Sequence, residues 1–494
     1  MHQPRYSAKR KLEGASSEDL LESKLSANLS WSRWREYCRP LSLPINEKSI
    51  QQAYKDIVSS LPNVKRFREV KGAYIELKEL FSYILRRYET LALFSFSGDE
   101  SLCKWKVSFD NRHILGKNEG FSLQPLSVTN PQNPAHVFTF AIYSGKEDNS
   151  NLRAACTEAL IDESIASLNT RTVEIYGKNY GIHFIVCADW VGLTAELDFD
   201  PANSQIPDGH VCWGCGTSKA ILKGEWWKNP FARFEPCCPI SDFPHAALSE
   251  LDTEHRRYDW MHGINRVLDN TLKLLANSGN QKAGITAIVR QVSENWEPGS
   301  LACKESKSIL KDKIYEEVVT LFPTDKYLEM PWPIGHKKLV LCEQEAVWML
   351  LDCIRVYHSF AYTCKPSKQG FQCLELARTG LLAFYAGKKW PLTATTHFMC
   401  NEAIYYAQCD GTAYNTVQEA VEHKNLIDKR NATNTTGNMD VKGPGVCGWG
   451  QLIQNQLILE ELRRRKEPIT ATYVIRSSQV VADIGWPKFA PRLE

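Results

Sequence analysis

Long apolar runs are missing from this sequence. No run in its 494 residues approaches the roughly 20 consecutive apolar residues that a membrane-spanning helix needs. Residues 1–11 also lack the apolar core of a signal peptide. We therefore expect no membrane partner and a protein that stays on the cytosolic side.

The sequence also has little net charge. Its 59 basic and 57 acidic residues give a formal charge of +2, so it lacks the whole-chain basic excess that marks many nucleic-acid-binding proteins. Any nucleic-acid site must be local. Short basic runs at 9–11, 65–68, 86–87 and 463–466 are candidates, although such runs are more often solvated helix faces.

A disulfide framework is not indicated, although the chain has sixteen cysteines. Scattered through a long chain without a secretion signal, they are typical of reduced thiols and metal ligands. Cys212 and Cys215 form a Cys-x-x-Cys knuckle around Gly214. Two thiolates so spaced bind one ion, and the surrounding sequence lacks the thioredoxin-like unit that a redox pair would need. The spacing leaves the other ligands open among Cys237, Cys238, His245, His255 and His262 nearby, and His397, Cys400 and Glu402 far off.

Length and composition predict a folded protein of several structural units. Hydrophobic residues make up 43% and charged residues 23%, as in ordinary globular proteins. We predict a flexible tail at 1–30, a helical region for DNA contact or dimerisation at 31–95, and an α/β core beginning at 96–200. We predict that a mostly helical metal-binding insertion follows at 201–410. C-terminal helices at 411–494 would then complete the core.

Hydrophobic periodicity supports this division. Alternation or short β-rich runs predict strands at 105–109, 137–143, 172–176 and 183–186, with a helix at 151–168 between them. Strands, a helix and a further strand indicate a mixed α/β sheet. Beyond these strands the spacing becomes helical, which predicts helices at 258–276, 306–322, 341–361, 371–387, 397–408, 415–428 and 449–466.

Three acids are candidate metal ligands: Asp110 and Asp189 at predicted strand ends, and Glu422 on a predicted helix. A single acid at a strand end is usually solvated or caps a helix. Asp189 is more unusual because it follows an almost wholly apolar run, and a buried carboxylate must be paired or metal-bound. A few carboxylates together with substrate phosphates are what Mg²⁺ prefers. Glu419, one helical turn from Glu422, is the fallback.

Taken in order, these segments resemble the catalytic core of Transib-type transposases and of the related V(D)J recombinase subunit. The resemblance covers about residues 104–429. Its motifs are a strand with a first Asp, a second Asp, a Cys-x-x-Cys, an Asp-x-x-His, a His and a Glu-x-x-Asn. Here they correspond to Asp110, Asp189, Cys212 with Cys215, Asp259 with His262, His397, and Glu422 with Asn425. From its pattern alone, His262 could equally be a hydrogen-bonded core histidine.

The resemblance implies an RNase H-like fold in which Asp110, Asp189 and Glu422 bind two Mg²⁺ or Mn²⁺ ions for DNA cleavage and strand transfer. It also implies a structural Zn²⁺ in the insertion, double-stranded DNA as partner, a homodimer and a nuclear location. The sequence departs from the family where a second histidine is expected. Cys400 and Glu402 follow His397 instead, so either residue could be the fourth zinc ligand.

Two other hypotheses are consistent with the sequence. A transposon-derived protein can keep the fold without catalysis, as a DNA- or chromatin-binding zinc protein. An unrelated helical interaction protein with a zinc knuckle is favoured if no mixed sheet forms near residues 102–189.

Overall fold

The computed structural model describes residues 16–26, 34, 36, 47–96, 100–112, 118–145, 148–199, 211–224, 226–234, 236, 238–278, 281–297, 301, 303–310, 312–333, 338–435 and 448–466. Within them the fold is mixed α/β, as predicted, and it is built on an eight-stranded sheet. The absence of a mixed sheet near residues 102–189, which would have favoured an unrelated helical interaction protein, is therefore not observed. The chain forms two compact units: residues 1–186, 246–251 and 419–473 belong to unit 1, and the remaining residues to unit 2.

The helices of the described residues, numbered in chain order, are α1 Ser17–Ser26, α2 Glu47–Ser60, α3 Leu77–Thr90, α4 Asn149–Glu158, α5 Ile161–Asn169, α6 Trp190–Glu196, α7 Lys219–Gly224, α8 Trp260–Asn277, α9 Lys282–Val289, α10 Cys303–Ile309, α11 Asp312–Thr320, α12 Glu343–Ala361, α13 Lys368–Gly387, α14 Ala394–Cys400, α15 Glu402–Asp410, α16 Glu419–Thr435 and α17 Gly448–Lys466. None of these described helices is long and apolar enough to cross a bilayer.

The strands are β1 Lys65–Arg66, β2 Lys71–Tyr74, β3 Leu102–Arg112, β4 Asn118–Pro125, β5 Phe138–Ser144, β6 Thr172–Ile175, β7 Lys178–Ala188, β8 Arg256–Tyr258, β9 Tyr327–Pro331 and β10 Lys338–Cys342. The large sheet has the order β1-β2-β5-β4-β3-β7-β6, and β8 also pairs with β7. Strands β3, β4 and β5 form an antiparallel meander. The predicted strands at 105–109, 137–143, 172–176 and 183–186 are confirmed.

The two faces of the sheet in unit 1 differ in character. Along β3, alternation places Trp105 on one face, and the ring of Phe81 on α3 packs 4.7 Å from it. Lys106, Ser108 and Asp110 point to the opposite face. Lys106 and Ser108 are almost fully buried although they are polar. The second face of β3 therefore buries polar groups and includes a candidate metal ligand.

Two predicted segments near the N-terminus need correction. The predicted tail contains a packed helix, α1, whose Leu21 is fully buried in a cluster with Ile50 on α2 and Ile458 on α17. The predicted helical region contains a strand, β2, that pairs with β5. A Cβ on Gly72 would lie 2.2 Å from Ile142 O, so only glycine permits this pairing.

The described residues of unit 2 are mostly helical. Its longest helices, α12 and α13, pack against each other through buried apolar faces. Two predictions are corrected: the helix expected at 306–322 divides into α10 and α11, and the one at 397–408 divides into α14 and α15. The antiparallel pair β9–β10 is an element that the sequence patterns do not predict.

Candidate functional site

Four side chains of unit 2 form a cluster that could hold a metal ion: Cys212, Cys215, His397 and Glu402. One ligand atom from each lies within 4.8 Å of all the others. The first two residues come from the knuckle, His397 from α14 and Glu402 from the start of α15. The structure therefore brings the knuckle together with two of the distant candidates, His397 and Glu402.

The spacing of these atoms suits tetrahedral coordination. The Cys212 thiol donates to Glu402 Oε1 at 3.1 Å, and Cys215 Sγ lies 3.1 Å from His397 Nε2. Nε2 and Oε1 are 3.6 Å apart. Around a tetrahedral zinc ion with bonds of about 2.0–2.3 Å, neighbouring ligand atoms are about 3.3–3.8 Å apart. Small shifts of these side chains would admit an ion.

The packing around the knuckle is tight. A Cβ on Gly214 would lie 3.0 Å from Glu402 Cγ, so glycine lets the turn approach the carboxylate closely. Glu402 is fully buried, and its Oε2 has no hydrogen-bond partner. A buried carboxylate oxygen without a partner is costly unless a proton or a cation satisfies it.

The protonation of the cluster is governed by burial and by close contacts. Burial raises the pKa of Cys212 well above its usual value and raises that of Glu402 to about 7. Hydrogen bonds from Cys212 and then His397 lower the pKa of Cys215 to about 3. Burial alone would lower the pKa of His397, but its contacts with Cys215 and Glu402 raise it to about 9. A divalent cation would replace these shared protons, since thiolate, imidazole and carboxylate are all zinc ligands.

The structure selects Glu402 and leaves Cys400 outside the cluster. In a continuous helix Cys400 would share a face with His397, whereas Glu402 would lie about 140° around the axis. The helix breaks at Asn401, whose φ is −126° and ψ −79°, and α15 starts at Glu402. Cys400 is instead fully buried beside the Tyr357 hydroxyl. Of the two candidates Cys400 and Glu402, the cluster contains Glu402.

The other nearby candidates do not join the cluster. Cys238, His245 and His255 are described residues outside it, and Cys237 lies outside the described part of the chain. The backbone nitrogen of Cys238 donates to Gly214 O of the knuckle at 3.2 Å.

The first candidate acid, Asp110, lies within a strand. Strand β3 continues two residues beyond it to Arg112, because β4 pairs with it as far as Asn118. Asp110 lies opposite Gly120 and is half-buried. Its backbone is therefore fixed by sheet pairing, and Asp110 does not terminate the strand.

Asn425 connects Asp110 to the helix of the third acid, Glu422. Its Nδ2 donates to Asp110 Oδ2 at 2.7 Å. Its own Oδ1 is buried without a hydrogen-bond partner. Glu422 precedes Asn425 by three residues on α16, so both side chains lie on the same helix face. The sequence motif Glu-x-x-Asn contained this pair, but its spacing did not reveal that Asn425 contacts Asp110.

Asp428, on the same helix, anchors α16 to unit 1. It is fully buried and accepts hydrogen bonds from Thr139 on β5, at 3.0 Å, and from Gln456 on α17. We expect Asp428→Ala to destabilise unit 1 by about 3 kcal/mol, because two buried donors lose a charged acceptor. Urea unfolding measures this change. Asp428→Asn, which keeps the shape, should cost less, and equal stability of all three proteins would contradict the anchoring role.

The second acid, Asp189, belongs to unit 2 and directly follows β7. It is the N-cap of α6, with Oδ1 accepting from Gly192 N at 2.7 Å. Two bonds hold this strand end: Gln418 donates to Cys187 O at 2.6 Å, and Asp259 N donates to Ala188 O at 2.9 Å. The predicted strand-end position of Asp189 is therefore confirmed.

His262 is not a core histidine. Its side chain is 30% exposed, and its Nδ1 lies 2.6 Å from the buried carboxylate of Asp259. Asp259 also caps α8 by accepting from Met261 N. The Asp-x-x-His motif thus forms an oriented imidazole one turn after a strand end.

Residues of two candidate basic runs form ion pairs within unit 1. Lys65 forms an ion pair with Glu76, and Arg87 lies 3.2 Å from Glu461. Residues 9–11 lie outside the described part of the chain. These contacts leave Lys65 and Arg87 poorly suited to phosphate binding.

No model of a known protein family matches the chain, and no curated protein matches it.

Proposed function

We propose that the protein is a DDE-type DNA transposase or a recombinase derived from one, which cleaves double-stranded DNA and transfers strands with the help of divalent metal ions. Asp110, Asp189 and Glu422 would be the ligands of two Mg²⁺ or Mn²⁺ ions, on an RNase H-like fold. The proposal joins the sequence resemblance to the positions of these acids.

The observation that supports it most directly is the hydrogen bond from Asn425 to Asp110. These residues are separated by more than three hundred positions, and the bond brings the Glu-x-x-Asn face of α16 onto β3. This contact places a polar face of the helix against the strand that contains Asp110. Binding of one cation by both Glu422 and Asp110 would explain such an arrangement.

The sequence resemblance and the position of Asp189 directly after β7 support its inclusion. The capping bond occupies only Oδ1 of Asp189. Its Oδ2 is left for a ligand.

The donor set fits a hard cation, because it consists of carboxylate oxygens with an amide beside them. Bound there, a pair of divalent ions would activate the attacking oxygen and stabilise the departing one. The protein's part is orientation: Asn425 holds the Asp110 carboxylate, and Gly192 holds that of Asp189. His262, oriented by Asp259, would supply a proton donor or a phosphate contact near the end of β7.

The test is Mn²⁺-dependent nicking of double-stranded DNA by the full chain and by Asp110→Asn. We expect nicking by the wild type and its loss in the variant, with unchanged DNA affinity. Equal nicking by both proteins would overturn the proposal. DNA affinity that falls with salt, without any cleavage, would favour the non-catalytic DNA-binding alternative.

Asn425→Ala should raise the Mn²⁺ concentration that gives half-maximal nicking by about ten- to hundredfold, because partners that orient metal ligands contribute that much to affinity. A Mn²⁺ titration of the nicking rate measures it. His423→Ala, at an exposed position of the same helix, is the matched control. A metal dependence unaltered by Asn425→Ala would contradict the orienting role.

We also propose Zn²⁺ as the ion of the Cys212 cluster, where it would link the knuckle to α14 and α15. We propose that the protein acts as a homodimer on DNA, because a transposase must hold the two ends of its DNA element together. We also propose that it acts in the nucleus. Light scattering of the DNA complex measures the number of protein chains in it. One chain bound to a pair of DNA ends would exclude the homodimer.

A further inference from the structure

Arg378, on α13 of unit 2, is a buried cation that donates hydrogen bonds to neutral acceptors. Its side chain is 5% exposed. Its Nε donates to Cys400 O at 2.5 Å, and one terminal nitrogen donates to Ala232 O at 3.0 Å and Asn401 Oδ1 at 3.1 Å. All three acceptors are neutral oxygens. A guanidinium is costly to bury, so such a position calls for a reason beyond packing.

Two of these acceptors lie at the break between α14 and α15. The Cys400 carbonyl ends α14, and Asn401 has the non-helical conformation that separates the helices. Asn401 in turn donates from Nδ2 to His397 O at 3.0 Å. Arg378 thus binds both the last residue of α14 and the residue that separates the two helices, between His397 and Glu402.

The interruption decides which residue faces the metal cluster. If α14 and α15 formed one helix, Cys400 would be three residues after His397 on the same face, and Glu402 would point away by about 140°. With the break, Glu402 Oε1 lies 3.6 Å from His397 Nε2, and Cys400 is packed elsewhere. Both residues are chemically competent zinc ligands, so their chemistry alone does not choose.

We propose that Arg378 is a positioning residue that selects Glu402 over Cys400 as the fourth ligand of the metal cluster. It does so by stabilising the helix break through its planar, forked donors, which reach a main-chain carbonyl and an amide side chain together. The ion bound by the wild type is therefore held by two thiolates, an imidazole and a carboxylate. Without these contacts, the helices join and the cluster takes a third thiolate. This inference rests on the metal cluster alone and is independent of DNA cleavage.

The experiment uses Co²⁺ as a spectroscopic probe of the full chain. The intensity of the thiolate-to-cobalt charge-transfer band reports the number of cysteine ligands. We expect two thiolates in the wild type and three in Arg378→Met, a rise in intensity of about half. Adding Cys400→Ser to Arg378→Met should remove the gain and lower Co²⁺ affinity by about ten- to hundredfold, whereas Cys400→Ser alone should leave both unchanged.

Three results would overturn the inference. The first is an Arg378→Met protein with the spectrum and Co²⁺ affinity of the wild type. The second is a Cys400→Ser substitution that has the same effect in the wild type and in Arg378→Met. The third is a wild-type protein that binds no Co²⁺. If Arg378→Met does not fold, as judged by circular dichroism, Arg378→Lys replaces it. Lysine keeps the charge but lacks the fork, so the third thiolate is expected there too, and a two-thiolate spectrum overturns the inference.

Discussion

Asp110→Asn, Asp189→Asn and Glu422→Gln should each slow Mn²⁺-dependent DNA nicking by about a thousandfold or more. Coordinated ions contribute several kcal/mol to the stability of a phosphoryl-transfer transition state, and each loss of about 1.36 kcal/mol is tenfold in rate. These substitutions keep the side-chain shape and remove the charge. In particular, an asparagine at 189 still offers an oxygen to cap α6. Single-turnover nicking of a DNA duplex measures the rates.

The comparison that tests the third acid is Glu419→Gln against Glu422→Gln. Both residues are half-buried in the first turns of α16, but only Glu422 is three residues before Asn425. We expect a full loss for Glu422→Gln and a small effect for Glu419→Gln. The opposite result would move the third ligand to Glu419. Normal rates in all variants would refute the catalytic triad.

Cys212→Ser should remove the zinc ion and destabilise unit 2 by about 3–5 kcal/mol, because the remaining buried ligands lose their common partner. For a unit of this size the melting temperature should fall by about 10 °C. Zinc content by elemental analysis and thermal unfolding followed by circular dichroism measure the two effects. A chelator should reproduce the fall in the wild type.

Cys364→Ser is the control for this prediction, since Cys364 is exposed and outside the cluster. It should keep both zinc and stability. Purified wild type without zinc, or a Cys212→Ser protein as stable as the wild type, would exclude a structural metal. Neither result would bear on Asp110, Asp189 or Glu422, because their test is nicking.

Local patterns in the sequence determined the strands that position the candidate acids. The alternation at Trp105, Val107 and Phe109 predicted β3, and the apolar run before Asp189 predicted the end of β7. A strand with one buried face has alternating apolar residues, and a strand buried on both faces has a continuous apolar run. Both patterns are visible from neighbouring residues alone. The Cys212 and Cys215 spacing likewise predicted half of a metal cluster, since one turn of chain sets that geometry.

Other elements depended on contacts with distant parts of the chain. Strand β4 is buried at every position although it includes Glu119, Ser122 and Gln124, and it lies between β3 and β5 in the sheet. Its polar sequence therefore gave no strand signal. Helix α1 has the composition of a tail, and its order comes from packing against α2 and α17.

The sequence by itself determined the α/β pattern, the cysteine knuckle and the candidate acids, since each depends on residues close together in the chain. Only the tertiary structure decided which residue completes the metal cluster and which residue orients Asp110. His397 has Cys400 and Glu402 within five positions, and the choice between them depends on a helix break that Arg378 holds from another helix. Asn425 reaches Asp110 across the fold. Contacts between distant segments set both results, so no local pattern could predict them.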